Sequence, residues 1–255
     1  MPSSNPNFKK FNNSIQHLKN GEVDLIYFLM GDDQFLQKFF IDQLEISLKK
    51  IELIEKIVLS IDDLGSKEII NKINESDLFS SKKIIILRNP NLLRGKARDE
   101  LLDYCSNPNS NNHLVITQDE FSLKNKFIKS LASCSSTVST STPFENELRL
   151  WIMYFFKEND YENVPKEVVD ELLIVFGESI FSLKNEIDKL CLSLSPGQDL
   201  NSELINKTVH MDRNYKKFEL FNYIGKRDVF QSIKLGRSLV SKDSSMLELI
   251  KPLNE

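Results

Sequence analysis

Short, nearly unbroken apolar runs take turns with helical periodicity up to Thr140, and this alternation constrains the fold more than any other feature. Asp24-Leu25-Ile26-Tyr27-Phe28-Leu29-Met30 has the continuous hydrophobicity of a strand covered on both faces. Gly31-Asp32-Asp33 breaks the run, with Asp32 or Asp33 placed to cap the helix that follows. That helix carries Phe35, Leu36, Phe39, Phe40, Leu44 and Leu48 on one face. Further strands are expected at Lys56–Ser60, Lys83–Arg88, His113–Thr117 and Thr137–Thr140, with helices at Ser66–Asn74, Arg98–Cys105 and Lys124–Leu131 between them. Strand and helix in strict alternation imply a parallel sheet joined by right-handed crossovers, an α/β domain.

From Pro143 the strand signal stops. Helical patterns cover Glu145–Lys157 (apolar at Leu148, Trp151, Ile152 and Phe155), Lys166–Val175, Ser179–Leu194 and Ser202–Val209. Pro165 stands at a helix start, Gly177 between helices, and Pro196-Gly197 at a turn. Another helical pair, Phe218–Ile224 and Asp228–Val240, follows. The expected domains are therefore 1–142 (α/β), 143–211 (small, helical) and 212–255 (the start of a further all-α domain).

Composition narrows the function. Forty per cent hydrophobic residues, including 17 Phe, can build a packed core in a chain of 255 residues. With 33 Lys and Arg against 37 Asp and Glu, the net charge is −4, and the pI near 5.6 argues against a general basic coat for nucleic acid. No apolar stretch approaches the roughly 18 residues of a membrane span, and Met1-Pro2-Ser3-Ser4-Asn5-Pro6 reads as a loose tail rather than a secretory signal. Cys105, Cys134 and Cys191 are odd in number, far apart in sequence and without a CxxC spacing. That suits a reducing cytosol, with each cysteine a small apolar filler. A cytoplasmic protein is expected.

An α/β domain followed by a small helical one resembles the layout of AAA+ ATPases, whose phosphate loop reads G-x-x-x-x-G-K-[ST] after the first strand. The corresponding segment here is Gly31-Asp32-Asp33-Gln34-Phe35-Leu36-Gln37-Lys38. The second Gly is missing, Phe39 follows the Lys, and two carboxylates at the helix start would repel a triphosphate. Nucleotide hydrolysis is not expected, nor is any cofactor or metal. His17, His113 and His210 stand alone and read as surface or packed histidines. Asp62-Asp63 and Asp119-Glu120 sit where acids can be catalytic, but helix capping or turn formation is the commoner role.

Two segments invite a functional reading. In Glu75-Ser76-Asp77-Leu78-Phe79-Ser80-Ser81-Lys82-Lys83, Leu78 and Phe79 are large and apolar in a polar setting. Either they fold back over the sheet edge, or they form an exposed anchor that fills a partner's pocket. Lys82, Lys83, Arg88, Arg94, Lys96 and Arg98 place six cations in seventeen positions, either a solvated face or a surface that faces DNA.

Four stretches together resemble the delta subunit of the bacterial replicative clamp loader, the DNA polymerase III delta family. They are Ile26–Leu36, Asp77–Asn89, Glu147–Ile152 and Leu183–Lys189-Leu190, and the likeness runs over about residues 10 to 240. The resemblance implies an AAA+-like sheet domain without a functional phosphate loop, a helical lid domain and an all-α collar. The chain has room for only the first helices of that collar, Phe218 to Glu255. It implies a non-catalytic subunit that binds the sliding (beta) clamp and helps open it, beside delta-prime and the ATP-hydrolysing loader subunits. Contact with DNA would be indirect or weak, through the assembled loader. Leu78 and Phe79 would be the clamp-binding pair. A nucleotidyltransferase label would belong to the polymerase holoenzyme only. The competing readings are an atypical P-loop ATPase and a direct DNA-binding module.

Overall fold

A computed structural model describes residues 10–49, 54–75, 82–176, 179–194, 200, 220–221 and 223–240. It divides into two compact units, Met1–Thr142 and Pro143–Glu255.

The first unit is built on a parallel sheet of five strands, β1 (Ile26–Met30), β2 (Ile54–Leu59), β3 (Lys82–Arg88), β4 (Asn112–Gln118) and β5 (Ser136–Ser139), in the order β2-β3-β4-β1-β5. Helices α1 (Phe11–Lys19), α2 (Gln34–Lys49), α3 (Ile61–Leu64), α4 (Ser66–Asn74), α5 (Ala97–Ser106) and α6 (Lys126–Ser133) accompany it. The α/β architecture read from the alternation is the one observed, with element ends moved by at most two residues. Helix α1 is an addition: it buries Ile15 and Leu18 and sets the Phe11 ring 6.1 Å from that of Phe40. The carboxylates Asp62 and Asp63 lie on the single-turn helix α3 directly after β2.

Every residue of β1 and β4 is buried, which explains the apolar runs Ile26–Met30 and Leu114–Ile116. Alternation of side chains along the pleat sorts them between two faces. Ile26, Phe28 and Met30 join Ile85, Leu87, Leu114 and Ile116 in the core lined by α4, α5 and α6. Tyr27 points the other way, its ring 5.0 Å from that of Phe40 on α2. The register sets Ile26 opposite Leu114 and Met30 opposite Gln118, so the strands finish level at the carboxyl edge.

The second unit contains α7 (Glu145–Glu158), α8 (Lys166–Phe176) and α9 (Ile180–Ser193), followed after a gap in the description by α10 (Val229–Val240). Leu148, Trp151, Ile152 and Phe155 of α7 are buried as their spacing predicts, against a core that includes Leu172, Leu183, Ile187 and Leu190. The Trp151 and Phe155 rings lie 5.3 Å apart, and the Lys184 ammonium stands 5.8 Å from the centre of the Phe155 ring. Ser179 caps α9, its hydroxyl accepting the Ser182 N–H at 3.2 Å. The helices expected at Ser202–Val209 and over residues 218–219 lie outside the described residues, as does Pro196-Gly197. Among the described residues no helix is long and apolar enough to cross a membrane.

His113, the second residue of β4, is a packed histidine. It is buried, and its Nδ1–H donates to the Asp24 carbonyl at 3.1 Å. A carbonyl only accepts, so this bond fits the neutral ring with Nδ1 protonated. Burial, with the Lys82 charge nearby, holds its pKa below the ordinary 6.5. Protons therefore bind the unfolded chain first as pH falls below 6.5. We predict that the unfolding free energy declines through that window and that His113→Gln makes the decline shallower. Denaturant titrations at a series of pH values measure the difference.

Candidate functional site

The carboxyl end of β1 is the place where open α/β sheets bind ligands, because the strands on its two sides are reached by connections leaving in opposite directions. In this chain the place is filled by the chain's own backbone. After Met30, Gly31 N donates to the Gln118 carbonyl at 3.0 Å, Thr140 N donates to the Met30 carbonyl at 2.7 Å, and Asp33 N donates to the Thr140 carbonyl at 3.0 Å. The loop is thus laced to both neighbouring strands. The approach is close enough to demand glycine. A Cβ on Gly31, whose φ is +151°, would lie 2.1 Å from the Thr140 carbonyl carbon and 2.2 Å from Ser141 N.

The two aspartates divide the work of ordering this loop. Asp33 is the N-cap of α2, its Oδ1 accepting the Leu36 N–H at 3.0 Å, while burial raises its pKa. Asp32 turns outward to the segment after β5. Its Oδ1 accepts Thr142 N at 2.9 Å and its Oδ2 accepts the Thr142 hydroxyl at 3.2 Å, and the Thr142 N–H bond foremost holds its carboxyl below the usual range. Lys38, at the place of the phosphate-binding lysine, instead pairs with Asp42 one turn along, at 2.5 Å.

Beneath the loop lies an amide network that residue reasoning missed. Gln37 on α2 is buried, and its Nε2 donates to the Gly31 carbonyl at 2.9 Å and the Gln118 carbonyl at 3.4 Å. The Gln118 side chain donates to the Glu120 carbonyl at 2.8 Å and accepts from Asn91 Nδ2 at 3.3 Å. A signal existed: Gln37 sits among the buried positions Leu36, Phe40 and Ile41, where an unpartnered amide would be costly.

This arrangement suits holding protein rather than phosphate. A phosphate loop presents unengaged N–H groups at a helix start. Here the N–H groups of Gly31, Asp33 and Leu36 are each directed at a protein acceptor, and two carboxylates share the turn. Among the described residues no group of three or more His, Cys, Asp or Glu side chains is arranged to hold a metal ion.

Leu78 and Phe79 lie outside the described residues; the description stops at Glu75 beyond α4 and resumes at Lys82, the first residue of β3. The six basic residues do not form one patch. Lys82 and Lys83 stand at the amino end of β3, with Lys83 Nζ 3.7 Å from Glu55. Arg88 is at its other end, roughly 20 Å along the strand. Arg94 and Lys96 are exposed on the turn before α5. Arg98 is committed internally: Nε donates to the Leu93 carbonyl at 2.7 Å, Nη2 to the Asn91 carbonyl at 2.9 Å, and the guanidinium lies 5.3 Å from the centre of the Phe127 ring. His17 pairs with Glu22 at the surface, and His210 is outside the described residues.

We predict that Gly31→Ala, which drives a methyl into the Thr140 backbone, lowers stability by about 3 kcal/mol. A chemical denaturation midpoint no different from wild type would contradict the close approach.

The chain is similar to known proteins in sequence and fold. Residues 27–141 match the family model "DNA polymerase III, delta subunit". The DNA polymerase III subunit delta of Bacillus subtilis (strain 168) is 19% identical over 246 residues, covering 91% of this chain and 70% of that protein. Among solved structures, the B. subtilis DNA clamp loader delta protein superposes with a TM-score of 0.68 at 17% identity, over 94% of this chain and 74% of its own. The Thermotoga maritima RuvB Holliday junction branch migration motor gives a TM-score of 0.52 at 12% identity, over 84% of this chain and 73% of its own. The fold is thus shared with AAA+-like proteins, and the resemblance to the DNA polymerase III delta subunit, first visible in four short stretches of sequence, is borne out.

Proposed function

We propose that this chain is a non-catalytic subunit of a DNA polymerase III clamp loader, acting in DNA replication. The family match over residues 27–141 carries this reading. The loop at Gly31–Asp33 supports it, because its N–H groups serve the protein's own acceptors. In its finer form, the chain binds the sliding clamp through Leu78 and Phe79 and binds an opened ring better than a closed one. Such a subunit shifts the clamp's population by the difference between the two affinities. Delta-prime and the ATP-hydrolysing subunits are its neighbours, residues 143–211 its lid, 212–255 the start of its collar, and the cytoplasm its location. Nucleotidyl transfer belongs to the polymerase it serves.

The test is binding to the sliding clamp of the same source, with wild type beside a Leu78→Ala, Phe79→Ala double variant. The expected result is 1:1 binding that the double variant weakens by at least about 2 kcal/mol, the size of a hot spot. Absence of binding by a folded wild-type chain overturns the clamp reading. Equal binding by both moves the contact elsewhere.

A second reading, direct contact with DNA, is favoured by one observation: Arg88 at the end of β3 and Arg94 and Lys96 before α5 are all exposed. It predicts weak affinity for duplex DNA that falls steeply with added salt and drops further in an Arg94→Gln, Lys96→Gln variant. Affinity insensitive to salt would remove it.

A further inference from the structure

Helix α9 buries a carboxylate beside its apolar stripe. Leu183, Ile187 and Leu190 form that stripe and are buried in the second unit. Ser182, Asn185, Glu186 and Lys189 stand at positions i, i+3, i+4 and i+7, so they share the neighbouring face of the helix. Together with Phe176 at the end of α8 and Leu192, they line an open groove of about 500 Å³. Glu186 is 9% exposed, and no other acidic residue among those described is buried so deeply.

A carboxylate in this position has lost most of its water, and its two oxygens need donors in return. Lys189 supplies one. Its ammonium pairs with Oε1, and among the described residues Oε2 accepts no hydrogen bond. The Lys189 side chain is itself 61% exposed, a point charge on a flexible stem. The nearby Asp188 differs, because both of its oxygens are engaged: Oδ1 accepts Asn159 Nδ2 at 3.2 Å and Oδ2 accepts Lys184 Nζ at 2.5 Å. The groove thus contains one deeply set carboxylate with an oxygen to spare, covered by a cation that lies mostly in solvent.

We propose that this groove is a docking site for an arginine side chain presented by a partner protein. The planar guanidinium offers two parallel N–H donors and engages both Glu186 oxygens at once, which an ammonium cannot do. Its other N–H groups find acceptors in the Ser182 hydroxyl and the Asn185 amide oxygen on the same face. Phe176 and Leu192 give the methylene stem an apolar wall and rim. Arginine displaces the Lys189 ammonium into water, whereas a partner's lysine would only exchange one point charge for another. With Glu186 and Asp188 against Lys189, the lining is net negative and complements a cation. The site belongs to the second unit and does not depend on the contact proposed for Leu78 and Phe79.

The experiment follows the backbone amide resonances of the isotope-labelled full chain as acetyl-glycyl-arginyl-glycine amide is added. The lysine and citrulline peptides are the controls, citrulline keeping the shape of arginine without its charge. The expected result is saturable shifts confined to Phe176 and residues 182–192. The two control peptides bind more weakly by about tenfold or more, the loss of one charge-assisted hydrogen bond. Glu186→Gln, which keeps the size of the side chain, abolishes the response. Lys189→Met removes the competing ammonium and raises the affinity for arginine, a gain that a carboxylate with a purely structural role would not produce. A lysine peptide that binds as well as the arginine one, a response that survives Glu186→Gln, or no saturable shift in the wild-type chain overturns the proposal. So does a folded Lys189→Met chain that binds arginine more weakly. The wild-type comparison of the three peptides stands even if a variant fails to fold.

Discussion

Every residue of β1 is buried, and the strand is paired along both edges, so its surroundings must answer for each of its groups. Its backbone donors and acceptors find β4 and β5, because an unpaired peptide group with no water nearby is costly. Its two side-chain faces require two separate covers: Phe40 on α2 meets Tyr27, while the core under α4, α5 and α6 takes Phe28. The ladder does not end with the strand. Gly31 N and the Met30 carbonyl continue it to Gln118 and Thr140, and the loop after β1 is thereby fixed to both neighbours.

That continuation decides what the carboxyl edge can do. A loop that reserves its N–H groups for an anion must leave them without protein acceptors; this loop gives them the Gln118 and Thr140 carbonyls and the Asp33 carboxylate. Gln37 then donates from below to the Gly31 and Gln118 carbonyls. In a low-dielectric setting such a network is worth most when complete, which ties α2, β4 and the residues after β5 into one rigid piece. The architecture of a nucleotide-binding sheet persists while its phosphate site serves as internal structure.

The second unit follows simpler rules. Its helices bury residues three and four apart, Leu148, Trp151, Ile152 and Phe155 on α7 and Leu183, Ile187 and Leu190 on α9, and charged side chains complete the polar faces. Arg149 reaches Asp170 and Lys184 reaches Asp188, so the stretches that resemble the delta family double as packing and pairing elements of this unit.

Hydrophobic periodicity is local, and what depends on it was legible in the chain alone: five strands, the helices between them, the helices described after Pro143, and the loss of the phosphate-loop pattern at Gly31–Lys38. Helix α1 escaped because only Ile15 and Leu18 mark its buried stripe among polar neighbours. Tertiary structure alone decided the rest, since each remaining feature joins residues that are remote in sequence. Gly31 is required by the Thr140 backbone, more than a hundred positions away, and Gln37 gains its second acceptor because Gln118 ends the neighbouring strand. The same geometry divides a basic cluster that is continuous in sequence, since a strand carries Lys82 and Arg88 to opposite edges of the sheet. Periodicity reports which residues are buried; only closure of the sheet determines which of them meet.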